Sequence, residues 1–202
     1  MSRSNVKAAA LLAGFPLALA HAPEQPAVVN VRVWTGSGVA ERATGTVLGD
    51  GRVLTVAHVL DGARRIEVDG RAAAARPRGD TDGRAAPLGD AGGRRATVER
   101  RLPALDLAVL RADGVSGPPV RYGEAGGELR VLTPRGAKPA ALNRRVSVHF
   151  VGAPGRRPSL DVAARIVAGD SGAPVVDRDG RVVGVIYARS TRRDAAYAVR
   201  LP

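Results

Sequence analysis

The chain has 202 residues, a formal charge of +12, 3% aromatic residues and no cysteine. Without cysteine there are no disulfides, no thiolate metal sites and no lipid-modified cysteine anchor. With three histidines in the whole chain a zinc site is not expected either, and no other cofactor is implied.

A chain of this length suits one compact unit or two small halves, and it should bury roughly 70% of its unfolded surface. With aromatics scarce, Val, Leu, Ile and Ala must fill the core, and stiff β-branched residues suit half-buried strands. Most of the positive charge is arginine. Two readings stand side by side: a basic surface that attracts polyanions, or the Arg and Ala enrichment of GC-rich coding. No DNA- or RNA-binding motif, aromatic stacking platform or periodic basic helix accompanies the charge, so nucleic acid is not an expected partner.

Residues 1–22 read as an export signal. Arg3 and Lys7 precede an apolar run from Ala8 to Ala20, and Ala20-His21-Ala22 offers small residues at the two positions a signal peptidase reads. The run is short for a bilayer span. Cleavage is expected after Ala22, leaving no membrane anchor and a secreted or periplasmic protein; an uncleaved anchor is the alternative.

The rest reads as many short strands separated by turn signals. Candidates are Ala27–Trp34, Gly45–Leu48, Arg52–Val56, Ile66–Val68, Ala96–Val98 and Leu105–Leu110, then Leu129–Leu132, Arg145–Phe150, Val162–Val167, Pro174–Val176, Arg181–Tyr187 and Ala195–Leu201. Asp50-Gly51, Asp69-Gly70 and Asp179-Gly180 mark tight turns. The only helical turn expected lies near His58–Ala63. Arg71–Arg95 reads as a surface loop, and Val115–Tyr122, with Ser116-Gly117-Pro118-Pro119, as a linker. This pattern argues for an all-β barrel or sandwich, organised as residues 23–114 and 115–202.

Three local patterns carry chemistry. Leu54-Thr55-Val56-Ala57-His58-Val59 is a strand running into a histidine. Leu105-Asp106-Leu107-Ala108-Val109-Leu110 is an acid leading an apolar strand. Gly169-Asp170-Ser171-Gly172-Ala173-Pro174 is a serine in a glycine-flanked turn. A serine hydroxyl is a weak nucleophile and needs a base during attack. Histidine titrates near neutrality and suits that task. A carboxylate fixes the imidazole tautomer and stabilises the imidazolium. Singly each pattern is weak; in the order His, Asp, Ser they point to nucleophilic catalysis by His58, Asp106 and Ser171.

Thr55-Val56-Ala57-His58, Asp106-Leu107-Ala108-Val109-Leu110 and Gly169–Pro174 together resemble the three boxes of trypsin/chymotrypsin-like serine peptidases. Arg181–Val185 and Ala196–Val199 resemble the strands that follow the serine. The likeness covers roughly residues 27–201 and is nearer to bacterial forms, such as the high-temperature-requirement proteases, than to cysteine-rich animal ones. It implies two six-stranded antiparallel β-barrels with the active site in the cleft between them. It also implies a serine endopeptidase acting on protein or peptide substrate, with the backbone N–H groups of Gly169 and Ser171 as oxyanion hole.

The departures are Ala173 in place of a glycine, no Ile-Val-Gly-Gly-like start near Ala27, and no expected peptide-binding PDZ domain after Leu201. Asp170 is therefore expected to pair with an arginine or cap a turn. The family register puts Arg165 at the position of the pocket-floor acid of Arg- and Lys-specific members. Arg165 either points into the pocket and favours acidic residues or faces solvent; cleavage after Arg or Lys is not expected. Tyr187 is read as a packing residue or a substrate-bordering one, and His149 as a strand histidine. Two other functions stay open: a catalytically silent relative that binds proteins or polyanions through its basic surface, and an esterase, for which the Gly-x-Ser-x-Gly elbow is missing. The oligomeric state is not legible.

Overall fold

The computed structural model describes residues 24–36, 38, 40–69, 93–149, 155–191 and 193–201. The expected export signal, most of the Arg71–Arg95 segment and the Asp69-Gly70 turn's glycine lie outside the described residues.

Among the described residues, twelve strands form two closed antiparallel barrels. The first contains β1 (Val28–Trp34), β2 (Ala40–Gly49), β3 (Arg52–Val56), β4 (Arg65–Val68), β5 (Arg94–Leu102) and β6 (Leu107–Arg111). The second contains β7 (Glu128–Thr133), β8 (Gly136–His149), β9 (Arg156–Ala163), β10 (Pro174–Asp177), β11 (Val182–Arg189) and β12 (Ala196–Arg200). Around the first barrel the order is β1-β2-β3-β6-β5-β4, and β1 pairs with β4 to close it. The second repeats that order as β7-β8-β9-β12-β11-β10, closed by β7 against β10. Closure leaves each sheet without a free edge.

The alternation in β1 shows why these residues make a barrel. Val29, Val31 and Val33 are buried in one cluster with Val47, Val53, Val56, Leu107 and Leu110. Val28, on the other face, packs with Leu132, Val176 and Val182 of the second barrel. Tyr187, Val185 and Val199 of β11 and β12 join the first barrel's cluster. The barrels therefore meet through apolar side chains as well as through hydrogen bonds.

The strand count matches the sequence reading; several boundaries do not. β2, β5 and β8 are longer than their apolar cores. β9 lies at Arg156–Ala163, whereas the expected strand was Val162–Val167. Arg156-Arg157-Pro158-Ser159 has no strand composition, yet Pro158 pairs with Ser147 in the β8–β9 ladder. Residues 164–167 are instead an irregular connection to the serine turn. The reading of Leu105–Leu110 as one strand is also corrected: Pro103–Leu105 is a short 3-10 turn, Asp106 follows it in the left-handed region with φ 55°, and the strand begins at Leu107.

Candidate active site

His58 is delivered by β3. The strand's last residues, Val53 to Val56, are buried, and the chain then turns into a 3-10 segment at His58–Leu60. Val59 and Leu60 face the core, which leaves the His58 side chain 45% exposed. The strand end is fixed from the neighbouring connection, because the Ala57 N–H donates to the Asp106 carbonyl at 2.8 Å.

Asp106 is presented by the turn rather than by a strand. Its own N–H donates to the Pro103 carbonyl at 3.1 Å. Its φ of 55° costs a non-glycine residue roughly 1–2 kcal/mol. The conformation aims both carboxylate oxygens at His58. Oδ2 lies 2.7 Å from His58 Nδ1, and Oδ1 accepts the His58 backbone N–H at 2.9 Å. The carboxylate side chain is only 11% exposed. The two contacts hold the backbone and the ring of His58 against one carboxylate; with Nδ1 donating to Oδ2, Nε2 is the ring atom left to accept.

Ser171 sits half-buried in the turn that precedes β10. Gly169 and Gly172 flank Asp170-Ser171 with φ of +92° and +87°, so the turn needs residues that take positive φ on both sides. The turn is anchored to both barrels. The Thr44 N–H donates to the Ser171 carbonyl at 2.7 Å, and Thr44 Oγ1 donates to the Gly169 carbonyl at 2.8 Å. Thr55 Oγ1 in turn donates to the Thr44 carbonyl at 2.9 Å. From the other side the Gly172 N–H donates to the Ile186 carbonyl at 2.7 Å. Thr55 stands three residues before His58, so the serine turn is bonded to the strand pair that carries the histidine. Among the described residues, the backbone N–H groups of Gly169 and Ser171 donate to no backbone carbonyl.

Asp170 is fully buried and held three ways: by Arg135 Nη2 at 2.7 Å, by Lys138 Nζ at 2.5 Å, and by the Val167 N–H at 2.9 Å. Both cations come from the β7–β8 hairpin. Arg165 is exposed on the connection after β9, its carbonyl 3.4 Å from Lys138 Nζ. Tyr187 is buried at 3% exposure in the first barrel's cluster, its hydroxyl 3.0 Å from Ser159 Oγ. Burial pushes the Tyr187 phenol above its ordinary value. His149, at the end of β8, faces the Gly155 carbonyl at 3.1 Å. No group of three or more His, Cys, Asp or Glu side chains able to hold a metal occurs among the described residues. None of the helices in the described residues is long and apolar enough to cross a membrane.

Sequence reading missed Thr44, Arg135, Lys138 and Arg157 as neighbours of this site. Each reaches it through a pairing between distant segments, and none carries a local motif. For Asp170 the sequence does point to a partner, an arginine of unspecified number, and Arg135 fills that role.

A family model described as a trypsin-like peptidase domain matches residues 43–185. Serine protease Rv3671c of Mycobacterium tuberculosis strain H37Rv is 27% identical over 186 residues, spanning 82% of this chain and 41% of that protein. Serine protease MT3772 of strain CDC 1551 matches to the same extent. The chain thus spans about two-fifths of the length of these curated relatives. In fold, the crystal structure of the Rv3671c protease in its active form superposes with a TM-score of 0.68 at 23% identity, covering 88% of this chain and 77% of that one. The HtrA-type protease AlgW with a tripeptide gives 0.65 at 20% identity, covering 88% and 57%. With the barrels, the carboxylate-held histidine and the glycine-flanked serine turn in place, the family match completes the assignment: the chain belongs to the trypsin-like peptidase domain family.

Proposed function

We propose that this protein is an exported serine endopeptidase that cleaves exposed protein segments through His58, Asp106 and Ser171. The observation that carries the reading is the paired contact of Asp106 with His58, at 2.7 Å to Nδ1 and 2.9 Å to the backbone N–H. A histidine oriented in this way keeps Nε2 free to accept a proton. In the proposed cycle Ser171 Oγ attacks the substrate carbonyl carbon as its proton passes to His58 Nε2. The N–H groups of Gly169 and Ser171 stabilise the tetrahedral oxyanion, a contribution of about 3 kcal/mol per donor. His58 then returns the proton to the leaving amine. A water activated by the same imidazole hydrolyses the acyl-enzyme and regenerates Ser171. Substrate would lie in the cleft between the barrels as an added extended strand.

Export rests on the Arg3/Lys7, Ala8–Ala20 and Ala20-His21-Ala22 pattern. Intact-mass measurement of the protein outside the cytoplasm is expected to show a chain beginning at Pro23; retention of residues 1–22 would contradict cleavage.

The activity is tested by fluorophosphonate labelling. Wild-type protein should label at Ser171, and Ser171→Ala should not label while keeping its far-UV spectrum. A folded wild-type protein that takes no label favours the silent, protein- or polyanion-binding alternative. An esterase of the parallel α/β type has no support here, since the named strands of both sheets pair antiparallel.

A further inference from the structure

The second barrel places an arginine behind the triad carboxylate. Arg157, near the start of β9, has a side chain only 6% exposed, and its Nη1 lies 3.8 Å from Asp106 Oδ2, the oxygen that holds His58 Nδ1. Its Nε donates to the Ala104 carbonyl at 3.2 Å, inside the 3-10 turn that ends at Asp106. Its guanidinium carbon stands 5.3 Å from the centroid of the Tyr187 ring. Tyr187 is itself fixed by its hydroxyl contact with Ser159, and Ser159 Oγ donates back to the Arg157 carbonyl at 3.1 Å. The arginine is therefore oriented by a ring from β11 and a hydroxyl from β9, and it grips a turn of the first barrel.

We infer that Arg157 is a positioning residue for the triad: its buried guanidinium spans the barrel interface, holds the Pro103–Asp106 turn, and fixes the Asp106 carboxylate against His58. The inference rests on the triad reading of the preceding section. Three physical points support it. A buried carboxylate is costly without a counter-charge, and an uncharged imidazole supplies none. A left-handed aspartate is a strained conformation that persists only when its surroundings over-determine it; the Ala104 contact does so one residue before Leu105. A planar guanidinium bonds a carbonyl through Nε and faces a carboxylate through Nη1 in one rigid fork, a fixed geometry that the rotatable donors of an ammonium do not impose.

The electrostatic consequence is specific. Among the described residues, the titratable and charged groups at this corner include His58, Asp106, Tyr187, Tyr197 and Arg157, with Arg101 reaching the Ala57 carbonyl at 3.4 Å and Asp61 at 3.1 Å. A fixed positive charge this close to Asp106 opposes protonation of the neighbouring imidazole. Removing it should move the acid limb of Ser171 labelling to higher pH.

The test is the rate of fluorophosphonate labelling of Ser171 against pH, in wild type, Arg157→Met and Arg157→Lys, with thermal melting as a fold control. Arg157→Met keeps an unbranched apolar stem without the guanidinium and should label at least tenfold more slowly, with the acid limb of its profile displaced to higher pH. Arg157→Lys should restore the position of the acid limb and recover only part of the rate. Folded variants that label like wild type, or an Arg157→Met profile lower in rate but unshifted in pH, would overturn the inference. A wild type that does not label at all would instead refute the triad reading.

Discussion

A side-chain carbon placed on Gly172 would lie 2.0 Å from the carbonyl oxygen of Thr44. The serine turn and β2 are thus in backbone contact, and the approach leaves no room for any residue larger than glycine. The other obstacle is Thr55 Oγ1 at 2.6 Å, itself committed to the Thr44 carbonyl. Gly169 offers the contrast: its φ is similarly positive, but the nearest atom to an added carbon is Arg42 Cβ at 3.8 Å. Gly169→Ala should therefore cost only the conformational strain, roughly 1–2 kcal/mol. Gly172→Ala should cost that and the displacement of β2 from the serine turn, and should abolish labelling. Urea unfolding and probe labelling of the two variants check the ranking; equal losses would argue that steric contact with Thr44 is unimportant.

Asp170 lies between the two proposed oxyanion residues in sequence, and its buried carboxylate takes its counter-charges from Arg135 and Lys138. Breaking a buried ion pair by removing one side leaves an uncompensated charge and costs about 3–5 kcal/mol. Either single substitution, Arg135→Met or Lys138→Met, leaves one partner and should be the milder. The double variant should lose stability on that scale and lose labelling more than its stability alone explains. Labelling of the folded double variant at the wild-type rate would separate Asp170 from the oxyanion hole.

Much of this arrangement can be read from residue order. Alternating Val in β1 and the apolar runs of β3, β6, β10, β11 and β12 signal their strands because each buries one or both faces. The histidine and serine boxes mark their own positions by short-range pattern. What escapes is non-local. β9 contains Arg156, Pro158 and Asp161, so its strand character comes from pairing with β8 and β12 rather than from composition. The left-handed Asp106 is concealed in Leu-Asp-Leu, which reads as alternation until the preceding Pro103 is seen to start a turn. Arg157 looks like one more surface arginine in a chain full of them; only closure of both barrels shows it to be buried beside Asp106.

Asp161 supplies a pH-dependent contribution away from the serine turn. Burial alone would raise its pKa, but hydrogen bonds from Asn143, Arg193 and Arg144 and the charge of Arg193 outweigh it, and the carboxyl sits below its ordinary 3.8. A depressed carboxyl favours the folded state when ionised. Its contribution is therefore complete above the unfolded-state value and is lost as pH falls from there through the lower folded-state value. Asp161→Asn should be less stable than wild type at neutral pH, and the gap should narrow below about pH 4. Parallel denaturation series at pH 7 and pH 3 measure it; a gap that widens in acid would contradict the sign.

The convergence of the three side chains is tested most directly by a crystal structure of the fluorophosphonate-treated protein. The account predicts phosphorus bonded to Ser171 Oγ, and a phosphonyl oxygen about 3 Å from the N–H groups of both Gly169 and Ser171. His58 should keep its Nδ1 on Asp106 and turn Nε2 toward the adduct. An adduct on another residue, or one on Ser171 with His58 swung away from Asp106 and its oxygen facing solvent, would contradict it.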